Sequence, residues 1–334
     1  MDPAGVPFAV AHDLQTFRLL ELPPEIVDLL EAPDPPRLSI KSLPAASSGP
    51  AYAVLCTPTN SFQIRQVQTS NSLFITQPIL LNDQADGTPT PTTCAIASCT
   101  ATLELHPTDA SAAAHLSDLL PVYDIVAGEV DTTHNARTKA HVFTDVPLSD
   151  AQCEQAWDDL LAFELSGSSY RPSVNALRQV WASINAAASA ESVQLDNQFL
   201  GHDLANLVAE EGHPAALALA VFRHLASPEQ DTRGQWSCLD RRKTVSHVGT
   251  TLLQAKQGLP DTPVAEFIDE WRDLLPEAWR SDAELLAIEG SYDLPSTTTI
   301  RAKSNAASTA QPAAPKPAAA KGKWHEKFAK TRKK

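Results

Sequence analysis

The hydrophobic period of the chain changes partway along, and that change limits the possible folds more than any other feature. Residues 37–105 favour strands, whereas from Ser149 onward apolar residues recur at helical spacing. The stretch 53–81, AVLCTPTNSFQIRQVQTSNSLFITQPILL, is rich in β-branched and aromatic residues, nearly free of helix-favouring charge, and interrupted by Pro and Asn at turn-like positions. Before it, LPPEIVDLLE at 22–31 reads as a short helix opened by proline. A loop over 82–93, loaded with Asp, Gly, Pro and Thr, leads to 94–105, where Ala101, Leu103 and Leu105 alternate with Thr100, Thr102 and Glu104 as on a half-buried strand. Together these pieces predict a small barrel or curled sheet whose open edges need closure or a partner strand.

The rest of the chain predicts helices. Ser149-Asp150-Ala151-Gln152 is a capping-box pattern, followed by the stripe Cys153, Trp157, Leu160, Leu161. Further stripes are Val174, Leu177, Val180, Trp181, Ile184; then Leu200, Leu204, Leu207, Val208; then Leu217, Val221, Leu225. Two short β-leaning insertions, 169–172 and 235–240, each precede a fresh helix, and helices punctuated by a brief hairpin have the cadence of winged-helix modules. Helices are also expected at 245–256, at 264–275 behind Thr262-Pro263, and at 282–288 behind a second capping box from Ser281 to Glu284. The expected fold class is α+β: a β-rich module over 1–105, winged helices over 106–192 and 193–258, a partial third over 259–300, and a flexible basic tail over 301–334, where little can be buried.

Charge narrows the function. The tail carries ten Lys or Arg against Glu326, so a chain of net charge −14 divides into a tail of +9 and a body of −23 over residues 1–300. Such a body disfavours uniform wrapping by nucleic acid. The 12 glycines and the absence of a Walker or dinucleotide fingerprint argue against nucleotide enzymes. Five scattered cysteines with no C-x-x-C pair argue against a secreted disulfide framework. The N-terminus lacks the basic region of a signal peptide, and the longest apolar run, 215–222, is too short to span a bilayer, so a soluble intracellular protein with no membrane contact is expected.

No catalytic constellation emerges, and no enzyme, metal or cofactor is expected. His202 and His213 fall on separate predicted helices, and the pairs Asp158-Asp159 and Glu210-Glu211 read as solvated helix faces. Cys94 and Cys99, five apart on a strand, are expected on opposite faces. Trp157, Trp181, Trp236 and Trp271 are expected to pack in cores. Arg241, Arg242 and Lys243 form a basic step beside a predicted wing, where phosphate contacts are commonly made, although a solvated turn explains them equally. In the tail, Lys323, Lys327, Lys330, Arg332, Lys333 and Lys334 suit nuclear import or contact with DNA, with Trp324 and Phe328 four residues apart among them.

The string LELPPEIVDLLE at 20–31, followed by AVLC at 53–56 and Arg65, Gln66, Val67, Gln68, Thr69, Ser70, Asn71, Ser72 and Leu73, resembles the defective-in-sister-chromatid-cohesion (Dcc) family. Looser likeness continues through 163–181, 236–254 and 264–279, so that the resemblance spans about residues 14–290. It implies a non-catalytic accessory subunit of an alternative replication factor C, the loader or unloader of the PCNA clamp in DNA replication and cohesion. The implied partners are the large and small chromosome-transmission-fidelity subunits, the small replication factor C subunits and PCNA indirectly, DNA polymerase epsilon, and DNA. It also implies that residues 65–73 lie in a composite barrel shared with partners, that winged helices meet the polymerase and DNA, and that the protein works in the nucleus. The alternative from the residues alone is a free-standing winged-helix DNA-binding regulator. Relatives end in further helices, whereas here the chain after Ile300 turns into an Ala/Pro-rich linker and a basic tip.

Overall fold

A computed structural model describes residues 5–42, 52–82, 89–125, 137–228 and 235–303. Of the loop expected over 82–93, residues 83–88 lie outside them and the rest belongs to strands; of the basic tail expected over 301–334, residues 301–302 form part of a strand and everything from 304 onward lies outside. The fold is mixed α+β: a curled, half-closed sheet followed by helices with small sheets between them.

The sheet begins with two short strands, β1 (Phe8–Val10) and β2 (Leu19–Glu21), which run parallel to the later β6 and flank it one after the other. Helix α1 (Pro24–Glu31) follows, opened by proline as expected, and then β3 (Ser39–Ser42), β4 (Ala53–Cys56), β5 (Ser61–Asn82) and β6 (Pro89–Pro107). The last four form antiparallel neighbours in the order β3-β4-β5-β6. A single turn separates β4 from β5, held where the Asn60 amide donates to Thr57 Oγ1 at 2.8 Å. The core is small: α1 lays Ile26 on Leu55 and Phe62, with Leu22, Leu38, Ile64 and Leu105 around them.

Two expectations about these strands need correcting. Asn71 and Pro78 do not break β5, which continues through both. A strand tolerates proline where no neighbour needs its N–H, and along that stretch β5 pairs with β6 alone among the described residues. Cys94 and Cys99 do not face opposite sides. Ile75 pairs with Ala97 and Thr76 with Ala95, so Ile96 is an extra residue that resets the alternation, and Cys94 and Cys99 are both buried. Residues 11–17 run beside them, where the Ala11 and Gln15 amides donate to the Ala95 and Ile96 carbonyls.

The helical body contains α2 (Ala112–Leu119), β7 (Val122–Tyr123), α3 (Lys139–Asp145), α4 (Asp150–Asp159), β8 (Phe163–Leu165), β9 (Ser168–Pro172) and α5 (Val174–Ala190). Next come β10 (Phe199–Leu200), α6 (Gly201–Glu210), α7 (Ala215–Leu225), β11 (Trp236–Ser237) and α8 (Arg241–Ala255). The last elements are β12 (Thr262–Pro263), α9 (Val264–Asp273), β13 (Tyr292–Asp293) and β14 (Thr299–Ala302). The capping box at Ser149 forms in full. The one expected at Ser281 does not: two 3-10 turns, Glu277–Asp282 and Leu285–Ile288, replace the helix, and the Ser281 hydroxyl turns to Asp282.

The small sheets are β7-β9-β8, β10-β11 and β12-β14-β13. Ser166 and Gly167, both at positive φ, make the two-residue turn between β8 and β9, the conformation that matches the twist of a hairpin. One core runs from Leu161 to Ile300, and a second packs Leu116, Phe143 and Trp157 between α2, α3 and α4. Buried Trp271 donates its indole N–H to the Val245 carbonyl at 3.1 Å, and Trp181 donates to Leu274 at 2.8 Å. Trp157 packs edge-on against Phe143. Trp236 departs from the core expectation: it is 51% exposed on a two-residue strand, paired with Leu200, which is also exposed.

Helices α4, α7 and α8 bring a polar cluster together. The rings of His224 and His247 lie 5.2 Å apart, Lys243 and Arg223 are beside them, and Asp158 and Asp159 face them from α4. Burial, and then the charge of Lys243, hold both imidazoles below their usual range, His247 to about 4. The unfolded chain takes up a proton below about pH 6.5 that the folded His247 refuses until about pH 4. Stability is therefore present above pH 6.5 and lost as pH falls through that window, by at most about 3 kcal/mol from His247. Asp158, raised by burial, opposes this in part. Urea unfolding at pH 7.5, 6 and 5 should show the decline, and His247→Gln should flatten it. A decline of unchanged size in that variant would refute the assignment.

Candidate partner-binding site

Sequence reasoning placed the site at residues 65–73, and the structure puts them at the middle of β5. Arg65 pairs with Glu104, Gln66 with Leu103, Val67 with Thr102, Gln68 with Ala101, and Leu73 with Cys99. Between the last two pairs, residues 69–72 of β5 stand opposite Thr100 alone, a bulge with three extra residues. An unbroken strand would put Val67 and Phe74 on opposite faces. With the bulge, their partners Thr102 and Ser98 are four apart on β6, so Val67 and Phe74 share a face. Val67, Leu73 and Phe74 are all exposed, Phe74 by 53%.

The hydrogen-bonding edge of this strand is as informative as its side chains. On the side away from β6, β5 is paired among the described residues only at Ser61–Gln63, by β4. Over 64–68 and 73–81 the ladder on that side has no strand among the described residues. An extended edge of this kind is ready to take up another strand. Apolar side chains continue past it on Leu80 and Leu81, and across the sheet on Phe8 and Val10 of β1. The sequence analysis missed β1 and β2, because three-residue strands carry too little pattern to be recognised; their only signal is Phe8 and Val10 flanking Ala9.

The sheet is fastened to the helical body. Lys41 on β3, with 14% of its side chain exposed, donates from Nζ to the Phe143 carbonyl at 3.0 Å, the Leu148 carbonyl at 2.8 Å and Asp150 Oδ1 at 3.2 Å. Ser61 Oγ donates to Gln152 Oε1 at 2.6 Å and accepts from the Ser149 amide at 2.7 Å, while Ser149 Oγ donates to the Thr59 carbonyl at 3.0 Å. The capping residues of α4 thus serve the sheet as well as their own helix. Burial pushes the nearby Cys153 thiol up to about 11 and raises that of Cys56. All five cysteines are free.

The basic step is divided by the fold. Arg241 is bidentate to Asp282, its Nη2 reaching Oδ1 at 2.9 Å, and also donates to the Ala278 carbonyl. Lys243 donates to the His224 carbonyl. Both cations are paired within the chain, Arg241 partly and Lys243 largely exposed, and Arg242 is exposed as well. Lys323, Lys327, Lys330, Arg332, Lys333 and Lys334 lie outside the described residues. The carboxylate pairs lie largely in solvent as expected, with Asp159, Glu210 and Glu211 exposed and Asp158 half-exposed, and two of them also find partners: Asp158 meets Arg223 and Glu211 accepts from Ser183. Among the described residues no group of three or more His, Cys, Asp or Glu is placed to hold a metal, and no helix is long and apolar enough to cross a membrane.

The fold and site define an α+β protein whose half-paired, apolar sheet is bonded to a helical body. The family model for sister chromatid cohesion protein Dcc1 matches residues 17–308, and the chain belongs to that family. Its place is accordingly in sister chromatid cohesion. No curated relative matches the sequence. The match runs past Ile300, where the sequence analysis saw a departure, through β14.

Proposed function

We propose that this chain is a non-catalytic adaptor whose sheet is completed by the large and small chromosome-transmission-fidelity subunits of an alternative replication factor C. The observation that carries this reading is the open edge of β5 beside exposed Val67, Leu73 and Phe74. Main-chain pairing supplies affinity along such an edge and the exposed side chains supply selectivity. The exposed side chains of the ribbon, Val67, Leu73, Phe74, Leu80 and Leu81, leave an apolar surface for others to cover. In this reading the helix-and-ribbon units of 106–300 are winged helices that face DNA polymerase epsilon and DNA, the complex loads or unloads PCNA in the nucleus, and the basic tail aids import or DNA contact. Internal pairing of Arg241 and Lys243 favours the adaptor over an autonomous DNA reader, because such a reader needs its cations for phosphates.

Coexpression with the two partner subunits tests the proposal. Val67→Asp with Phe74→Asp places two charges on one face of the ribbon and should reduce recovery of the complex about a hundredfold, with the thermal midpoint of the isolated chain unchanged. Full recovery of the complex, or a wild-type chain that does not copurify with either subunit, would overturn the reading.

A further inference from the structure

A groove beside β10 and β11 is lined by Leu200, Leu207 and Trp236, with Glu191 and Asp203 at its rim. Trp236 and Leu200 face each other across the two-stranded ribbon, 51% and 37% exposed. Among the described residues the groove has carboxylates and no Lys or Arg, whereas the grooves beside Trp279 and Phe143 include Arg280, and Lys41 with Lys139. It therefore fits a cationic segment with aromatic side chains.

The chain supplies one itself. Lys323, Trp324, Lys327, Phe328 and Lys330 alternate cations with two aromatic residues four apart, in a tail of +9 that follows a body of −23. The last described residue is Lys303, whose amide donates to the Ser291 carbonyl. The 20 residues between Lys303 and Trp324 reach at most about 70 Å. A body of about 190 residues has a radius of gyration of about 16 Å, so the tether spans it. We infer that residues 323–330 dock into the Trp236 groove of the same molecule, with Trp324 and Phe328 against Trp236, Leu200 and Leu207, and the flanking lysines toward Glu191 and Asp203. A tether of this length holds its segment at about millimolar effective concentration, so modest intrinsic affinity keeps it docked. Docked, the tail withholds its cations from polyanions.

The test uses the full chain. Trypsin cleavage after Lys327 should be slow in the wild type and rise about tenfold, in step with the undocked population, in Glu191→Lys/Asp203→Lys. Trp324→Ser/Phe328→Ser, which leaves the folded body untouched, should give the same rise, and the four substitutions together no more than either pair. With 5-fluorotryptophan incorporated, the Trp236 resonance, assigned with Trp236→Phe, should move in both pairs. Unchanged cleavage and an unmoved resonance would overturn the inference. So would additive effects, or a protection that grows with protein concentration, which would make a second copy the occupant.

Discussion

Gly249→Ala is expected to destabilise the helical body by about 1–3 kcal/mol, and Gly249→Val by more, although both residues suit a helix better than glycine does. Gly249 lies inside α8, where a Cβ would come within 2.5 Å of Cε2 and Cζ2 of Trp271 and 3.0 Å of Ile288. The indole cannot retreat: it is fully buried and donates to the Val245 carbonyl one turn earlier on the same helix. Neighbouring Phe267, Leu275 and Trp279 belong to the same core. Urea midpoints measure the effect. An alanine variant as stable as the wild type would show that Trp271 has room the structure does not display.

Lys41→Met should cost about 2–4 kcal/mol, because it leaves two backbone carbonyls of the α3–α4 connection without their donor. Asp150→Asn removes only the exposed end of the same contact and should change stability by less than about 1 kcal/mol. The contrast separates buried carbonyl satisfaction from surface charge pairing. Equal losses in the two variants would mean that Lys41 acts through its ion pair, and that the sheet is held to the helices mainly through Ser61 and Ser149.

Much of this architecture could be read from side-chain spacing. The stripes Val180, Trp181, Ile184 and Leu217, Val221, Leu225 are buried on α5 and α7, and the Ser149 capping box is complete, because helical period and caps are local properties. What escaped depends on backbone count or distant partners. Ile96 is an ordinary residue that shifts every later position of β6, so Cys94 and Cys99 could not be placed by parity alone. Arg241 and Lys243 resemble phosphate ligands until Asp282 and the His224 carbonyl, 41 and 19 residues away, claim them. Trp236 carries the same aromatic signal as Trp271, and only the pairing of two short strands turns it outward. Within the candidate site, the specificity of residues 65–73 was visible as an unusual polar string, whereas the open edge required knowing where β4 stops.

The bulge at residues 69–72 gives that polar string a duty its composition conceals. Three surplus residues, an odd number, act as a phase setter for everything beyond them. Exchanging one side chain for another there preserves the setting. Losing or gaining a single residue would invert the distal half of β5, swapping Phe74 for its neighbours on the surface that meets the outside world. In this segment it is the number of residues, more than their chemistry, that later evolution or engineering must leave alone.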